Sequence, residues 1–91
     1  MNDITGDRAA ILSQIQAIAS RILGLPTLEL REESTARDVP GWDSLTHVQI
    51  VIGIEQAFGI RMTATEVAQL ENAGSLVDVV QRHQAQAPSA N

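Results

Sequence analysis

Between Arg8 and Leu23, isoleucines recur at positions 11, 15, 18 and 22, with Leu12, Ala19 and Leu23 beside them and Ser13, Gln14, Gln16, Ser20 and Arg21 opposite. This spacing follows the 3.6-residue turn and predicts an amphipathic helix with its apolar stripe toward a core. Gly24 supplies a stop, and Pro26 follows at the distance expected beyond a helix end. From Leu25 to Asp43 no period is sustained. So long a connection inside a compact domain needs side chains to pin it, and Leu28, Leu30 and Val39 are the candidates. The alternation Leu28-Glu29-Leu30-Arg31 has the pattern of a strand, but the chain offers no partner strand, so the segment reads as loop.

The second apolar stretch is denser. It predicts a helix from Ser44 to Phe58, entered through Asp43 as N-cap and closed by a left-handed Gly59. On it Val48, Val51, Ile54 and Phe58 fit one buried face, whereas Leu45 and Ile52 fall toward its edge or beyond. Thr63-Ala64-Thr65-Glu66 fits a capping box that starts a short helix through Leu70. Ser75-Leu76-Val77-Asp78 is a related start signal for a last helix, whose Leu76, Val79 and Val80 face the core until about Gln84. The small, polar, aperiodic stretch from Ala85 to Asn91 is expected to be a disordered tail. The pattern thus predicts one domain over residues 1–84. Its fold class is all-α: a small irregular four-helix bundle with three longer helices, one short third helix and a long first loop.

Composition narrows the function. The 91 residues include no cysteine, and His47 and His83 have no ligand spacing between them, which removes disulfides and argues against a structural metal. One Trp, one Phe and no Tyr leave little to stack bases on, and 11 acidic against 6 basic residues give a net charge of -5. Nucleic acid is therefore a poor partner and a cationic one a good match. All the basic residues are arginine, which has no functional account. No apolar run reaches membrane-spanning length, and the opening residues from Met1 to Asp7 lack the build of a signal peptide. These features predict a cytoplasmic monomer.

Ser44 is the most informative residue, because a hydroxyl where a Pro/Gly segment meets a helix should be exposed, and the free N–H groups of a first turn favour a phosphate nearby. Asp43-Ser44-Leu45, followed by Val48, Ile50, Val51, Ile54, Glu55, Phe58 and Gly59, resembles the second helix of acyl carrier proteins. The likeness covers roughly residues 8 to 83. It implies a non-catalytic carrier with 4′-phosphopantetheine, drawn from coenzyme A by a phosphopantetheinyl transferase, attached to Ser44 between Asp43 and Leu45. An acyl-loading ligase or transferase and downstream biosynthetic enzymes would then be its partners. The implied docking surface takes in Trp42, Leu45, Val48, Gln49, Ile52 and Glu55, with Glu55 matching the family's acidic recognition residue.

Two other readings of the serine compete. A Gly-Asp-Ser-Leu hydrolase fails because Trp42 interrupts that string, Asp78 and His83 have the wrong spacing, and 91 residues cannot build the α/β scaffold. The other is an unmodified helical interaction domain. Within the carrier family the chain departs from the fatty-acid pattern: Thr46, Gln49, Gln56 and Ala57 stand where acids are common, and Asp38-Val39-Pro40-Gly41-Trp42-Asp43 replaces the commoner Asp-Leu-Gly-Ala-Asp. The Trp-Asp-Ser-Leu form resembles discrete carriers dedicated to one polyketide, hybrid or modified-lipid pathway. The Gly-Gly-x-Ser of peptidyl carriers is absent, while an aminoacyl or D-alanyl-like carrier remains an alternative. Trp42 is expected to be partly buried against Leu28 or Val39. His47, three residues beyond Ser44, either lies toward it or turns to the mouth of the core.

Overall fold

Asp7 begins the first helix by accepting the Ala9 backbone N–H at 3.0 Å, which satisfies one of the amides a helix start leaves without a partner. The computed structural model describes residues 7–86; the opening residues and most of the expected tail, Ala87 to Asn91, lie outside the described residues. Helix α1 spans Arg8–Leu23, a 3-10 turn Ala36–Asp38, α2 Ser44–Phe58, α3 Ala64–Ala68 and α4 Ala73–Gln86. Among the described residues there is no strand. The four helices, the left-handed Gly24 and Gly59 and the long first connection are as the sequence predicts.

α1 packs on both α2 and α4. Its Ile11, Ile15, Ile18 and Ala19 join Ile50 and Ile54 of α2 and Leu76, Val77 and Val80 of α4 in one cluster. Ile15, Ile50, Ile54, Leu76, Val77 and Val80 are fully buried, and each such burial is worth roughly 1.5–3 kcal/mol. Gly53 allows the α1–α2 approach, since a β-carbon there would stand 2.8 Å from Ile18 Cγ2. Arg8 ties three segments at the surface. Its guanidinium forks onto Glu32 at 2.6 and 3.0 Å and reaches Asp78 at 2.6 Å and Gln81 at 2.9 Å.

The first connection is pinned as expected: Leu30 and Val39 are buried and Leu28 is partly buried against the core. Leu30 N–H also donates to Gln16 Oε1 at 2.8 Å. The 3-10 turn within this loop was not legible from periodicity. Its signal is the Thr35-x-x-Asp38 spacing of a capping box: Asp38 Oδ2 accepts from the Thr35 N–H at 2.9 Å and from the Thr35 hydroxyl at 3.1 Å. These bonds, the backbone one first, hold the Asp38 carboxyl below the usual range.

Three helix boundaries differ from expectation. α3 opens with the Thr63–Glu66 box, Thr63 N–H to Glu66 Oε1 at 2.9 Å and Glu66 N–H to Thr63 Oγ1 at 3.1 Å, but it ends at Ala68 rather than Leu70. Gln69 N–H is shared between the Thr65 and Glu66 carbonyls, each at 3.2 Å, and Leu70 N–H reaches back only three residues, to the Val67 carbonyl at 3.2 Å; this tightening closes the helix. α4 starts at Ala73, not Ser75. Asn72 is its cap, with Oδ1 accepting the Ser75 N–H at 2.9 Å while Ser75 Oγ accepts the Asn72 N–H at 3.0 Å. α4 also continues to Gln86, so residues 85 and 86 belong to the helix and not to a tail. Glu66 fastens α3 to α4 through His83 Nε2 at 3.0 Å, the chief reason its carboxyl lies below the usual range.

Candidate functional site

Gly41 has φ 83°, a left-handed turn that glycine makes without a side-chain clash. Behind it Trp42 packs partly buried against the core cluster, and Asp43 takes up the cap. Asp43 Oδ1 accepts the N–H groups of Leu45 and Thr46, each at 3.0 Å. In return, Asp43 N–H donates to Thr46 Oγ1 at 2.8 Å, and the Thr46 hydroxyl donates to the Gly41 carbonyl at 2.8 Å. Thr46 was missed as a site residue, although Asp-x-x-Thr is a capping-box spacing readable from sequence. The network holds the Asp43 carboxyl below the usual carboxylate range, the Thr46 backbone N–H being the largest cause.

Ser44 is the first residue of α2 and is exposed. Its hydroxyl has no hydrogen bond among the described residues. One expectation about its surroundings is corrected. The amides of Leu45 and Thr46 are taken by the Asp43 carboxylate, and His47 N–H donates to the Asp43 carbonyl at 2.8 Å. The first turn thus has few free donors for an anion.

Leu45, Val48 and Ile52 are 68%, 52% and 46% exposed, and their spacing of three and four makes them one apolar stripe running away from Ser44. Leu45 and Ile52 are where the sequence places them. Val48 is not on the buried face as expected; Ile50 takes that place with Val51 and Ile54, because α1 covers a side of α2 rotated toward position 50. Gln49 is exposed beside the stripe. Glu55 is half-buried, and its Oε2 accepts the Met62 N–H at 2.8 Å. It therefore anchors the chain that follows Gly59, a structural duty that the expected recognition role leaves out.

The indole of Trp42 finds a partner the sequence did not suggest. Its Nε1–H donates to His47 Nδ1 at 3.0 Å, with ring centroids 6.2 Å apart. His47 lies between the two orientations considered for it. With Ala36, Trp42, Asp43 and Ser44 it lines a shallow basin at the surface. With Leu70, Ala73 and Leu76 it lines a separate cavity of about 60 Å³ between the 3-10 turn and the start of α4. Trp42 and Ala36 belong to both walls.

A protein family described as phosphopantetheine attachment site matches residues 13–80. The acyl carrier protein of Acidothermus cellulolyticus is 33% identical over 70 residues, covering 77% of this chain and 83% of that protein. A stretch of the non-reducing polyketide synthase AusA of Penicillium brasilianum is 34% identical across 84% of this chain, though it makes up 3% of that synthase. The solution structure of holo acyl carrier protein from Geobacter metallireducens superposes with a TM-score of 0.81 at 26% identity, over 89% of this chain and 93% of that one. No helix among the described residues is long and apolar enough to cross a membrane. Family match, relatives and fold agree that this chain belongs to the acyl carrier proteins, non-catalytic carriers whose prosthetic group is 4′-phosphopantetheine.

Proposed function

We propose that Ser44 carries the 4′-phosphopantetheine arm and that α2, with the segment leading into it, is the docking surface for partner enzymes. The observation that carries this reading is local. Among the described helices α2 alone begins on a hydroxyl-bearing residue, and that hydroxyl is exposed and unbonded. The residues fit the group: nothing competes for the Ser44 oxygen, and the basin beside it leaves room for a transferase to approach. The arm supplies a thiol on which an acyl group rides as a thioester. The chain itself supplies presentation. Asp43 and Thr46 hold the first turn in place, while Leu45, Val48 and Ile52 offer exposed apolar area for contact.

The finer reading is a carrier dedicated to one biosynthetic pathway of polyketide type, loaded by its own ligase or acyltransferase. Two features support it. Carrier-length stretches of two polyketide synthases from Penicillium brasilianum are among its relatives. The docking stripe is also nearly uncharged: Glu55 is the one acidic residue of α2, and it is engaged with the Met62 amide. Incubation with coenzyme A and a promiscuous phosphopantetheinyl transferase tests the site. Intact mass is expected to rise by one arm in the wild type and by none in Ser44→Ala, with an unchanged far-UV spectrum. Modification that persists in Ser44→Ala removes the assignment.

A further inference from the structure

The ring of His47 is held from two sides. Its backbone N–H donates to the Asp43 carbonyl at 2.8 Å, and its Nδ1 accepts the Trp42 indole N–H at 3.0 Å. Trp42 is itself fixed, packed on the core cluster with its backbone N–H on the Val39 carbonyl at 3.2 Å. A ring nitrogen that accepts carries no proton, so the neutral imidazole has its proton on Nε2. Trp42 thereby makes Nε2 a donor, and among the described residues that donor has no partner.

His47 stands three residues after Ser44 at the head of α2. This spacing sets two side chains on one face of a helix, and helical side chains lean back over the turn before them. Both residues line the basin beside α2, together with Ala36, Trp42 and Asp43. Few of these can serve an anion. Asp43 is itself anionic, Ala36 has no polar side chain, and the Trp42 indole N–H is already spent on His47. The amides of Leu45, Thr46 and His47 are spent on Asp43. Apart from the Ser44 hydroxyl, which the linkage would consume, the side-chain donor left in the basin is His47 Nε2–H.

We propose that His47 Nε2–H donates a hydrogen bond to the phosphodiester of the Ser44 arm, with Trp42 as the positioning residue that selects the donating tautomer. This rests on the reading that Ser44 carries the arm. A phosphodiester keeps one negative charge on two non-bridging oxygens, and an N–H bonded to such an oxygen makes a charge-assisted contact stronger than a neutral one. The contact fixes the arm at its base and leaves the pantetheine beyond it free to reach partner enzymes. It also replaces the helix-start amides that Asp43 has taken.

The test compares apo and holo protein, confirmed by intact mass, at a pH where the imidazole is neutral, by NMR of the His47 ring nitrogens and of the arm's phosphorus. The arm is expected to shift Nε2 and to slow exchange of its proton with water severalfold, while Nδ1 and the Trp42 indole N–H keep their positions. His47→Leu is expected to move the phosphorus resonance toward that of the same diester free in solution. Trp42→Phe removes the donor to Nδ1, so its apo form is expected to populate both tautomers of His47. The apo–holo comparison needs no variant and stands should either substitution lose its far-UV spectrum. An apo ring with its proton on Nδ1, a holo Nε2 that ignores the arm, or a phosphorus resonance that ignores folded His47→Leu overturns the contact and leaves the Ser44 assignment intact. A single unchanged tautomer in Trp42→Phe overturns the part given to Trp42. A chain that takes no arm in the mass measurement overturns both this proposal and the reading beneath it.

Discussion

The starts of α2 and α4 are built from the same local device and serve opposite ends. Each begins with an Asx N-cap that trades hydrogen bonds with a hydroxyl residue three places on, Asp43 with Thr46 and Asn72 with Ser75. At α4 the next two residues, Ala73 and Gly74, are buried, and their N–H groups are spent on the carbonyls of Ser34 and Glu32. At α2 the next two, Ser44 and Leu45, are exposed. A capping box thus specifies where a helix begins and says nothing about whether that beginning anchors the fold or displays a residue. The difference comes from what lies opposite: a loop segment against α4, open solvent against α2.

The largest effect separating the two regions is on stability. Leu76→Ala, in the first turns of α4 at 2% exposure, is expected to cost about 2–5 kcal/mol, while Leu45→Ala stays within about 0.5 kcal/mol; urea unfolding measures both, and equal losses break the contrast. Next comes binding, where the order reverses. Ile52→Asp is expected to weaken engagement with a phosphopantetheinyl transferase about tenfold, roughly 1.4 kcal/mol, with the domain still folded. Glu55→Gln, which keeps an oxygen for the Met62 N–H, weakens it less. Salt dependence is expected to be shallow, since screening acts only on charge contacts. Equal losses for the two variants argue against an apolar docking stripe.

A smaller effect compares one change at both starts. A β-carbon on Gly74 would meet the Glu32 carbonyl oxygen at 3.0 Å. Gly74→Ala is therefore expected to lose about 1 kcal/mol, an overpacking cost of about 1–3 kcal/mol less what alanine returns in helix propensity. Ser44→Ala is expected to leave the unfolding midpoint unchanged. The smallest effect is local and depends on acid. The Asp43 carboxyl lies below its ordinary value, so its contribution is complete above the unfolded value near about 3.9 and is lost as pH falls through the lower folded value. Amide exchange at Leu45 and Thr46 is expected to accelerate over that range, while Ser75, capped by the uncharged Asn72, does not follow; parallel acceleration at all three shows global unfolding instead.

Most of the fold was legible because its signals are short-range. The isoleucine period of α1, the two glycine stops and the Thr63–Glu66 box each depend on neighbours within a turn or two, and each appears where the sequence places it. The misses have the same origin in reverse. Ser75 looks like a cap because Ser often is one, and only the bond from its N–H to Asn72 Oδ1 reveals it as the residue three places in. Val48 looks like a core residue because it is apolar on an apolar helix, and its exposure follows from which side of α2 packs on α1. Glu55 has a further duty that no local pattern shows: the chain after Gly59 folds back and brings the Met62 amide to it.

By itself, then, the order of residues determined the helices, their stops, the loop that needs pinning and the exposed serine at the head of α2, since hydrophobic period and capping chemistry act along the chain. Tertiary structure alone decided which face of α2 is left bare, that the Met62 amide comes to Glu55, and that Trp42 reaches His47 beside the Ser44 basin. The reason is geometric. A side chain's neighbours across the core are set by helix rotation and crossing, and neither is encoded by any single stretch of sequence.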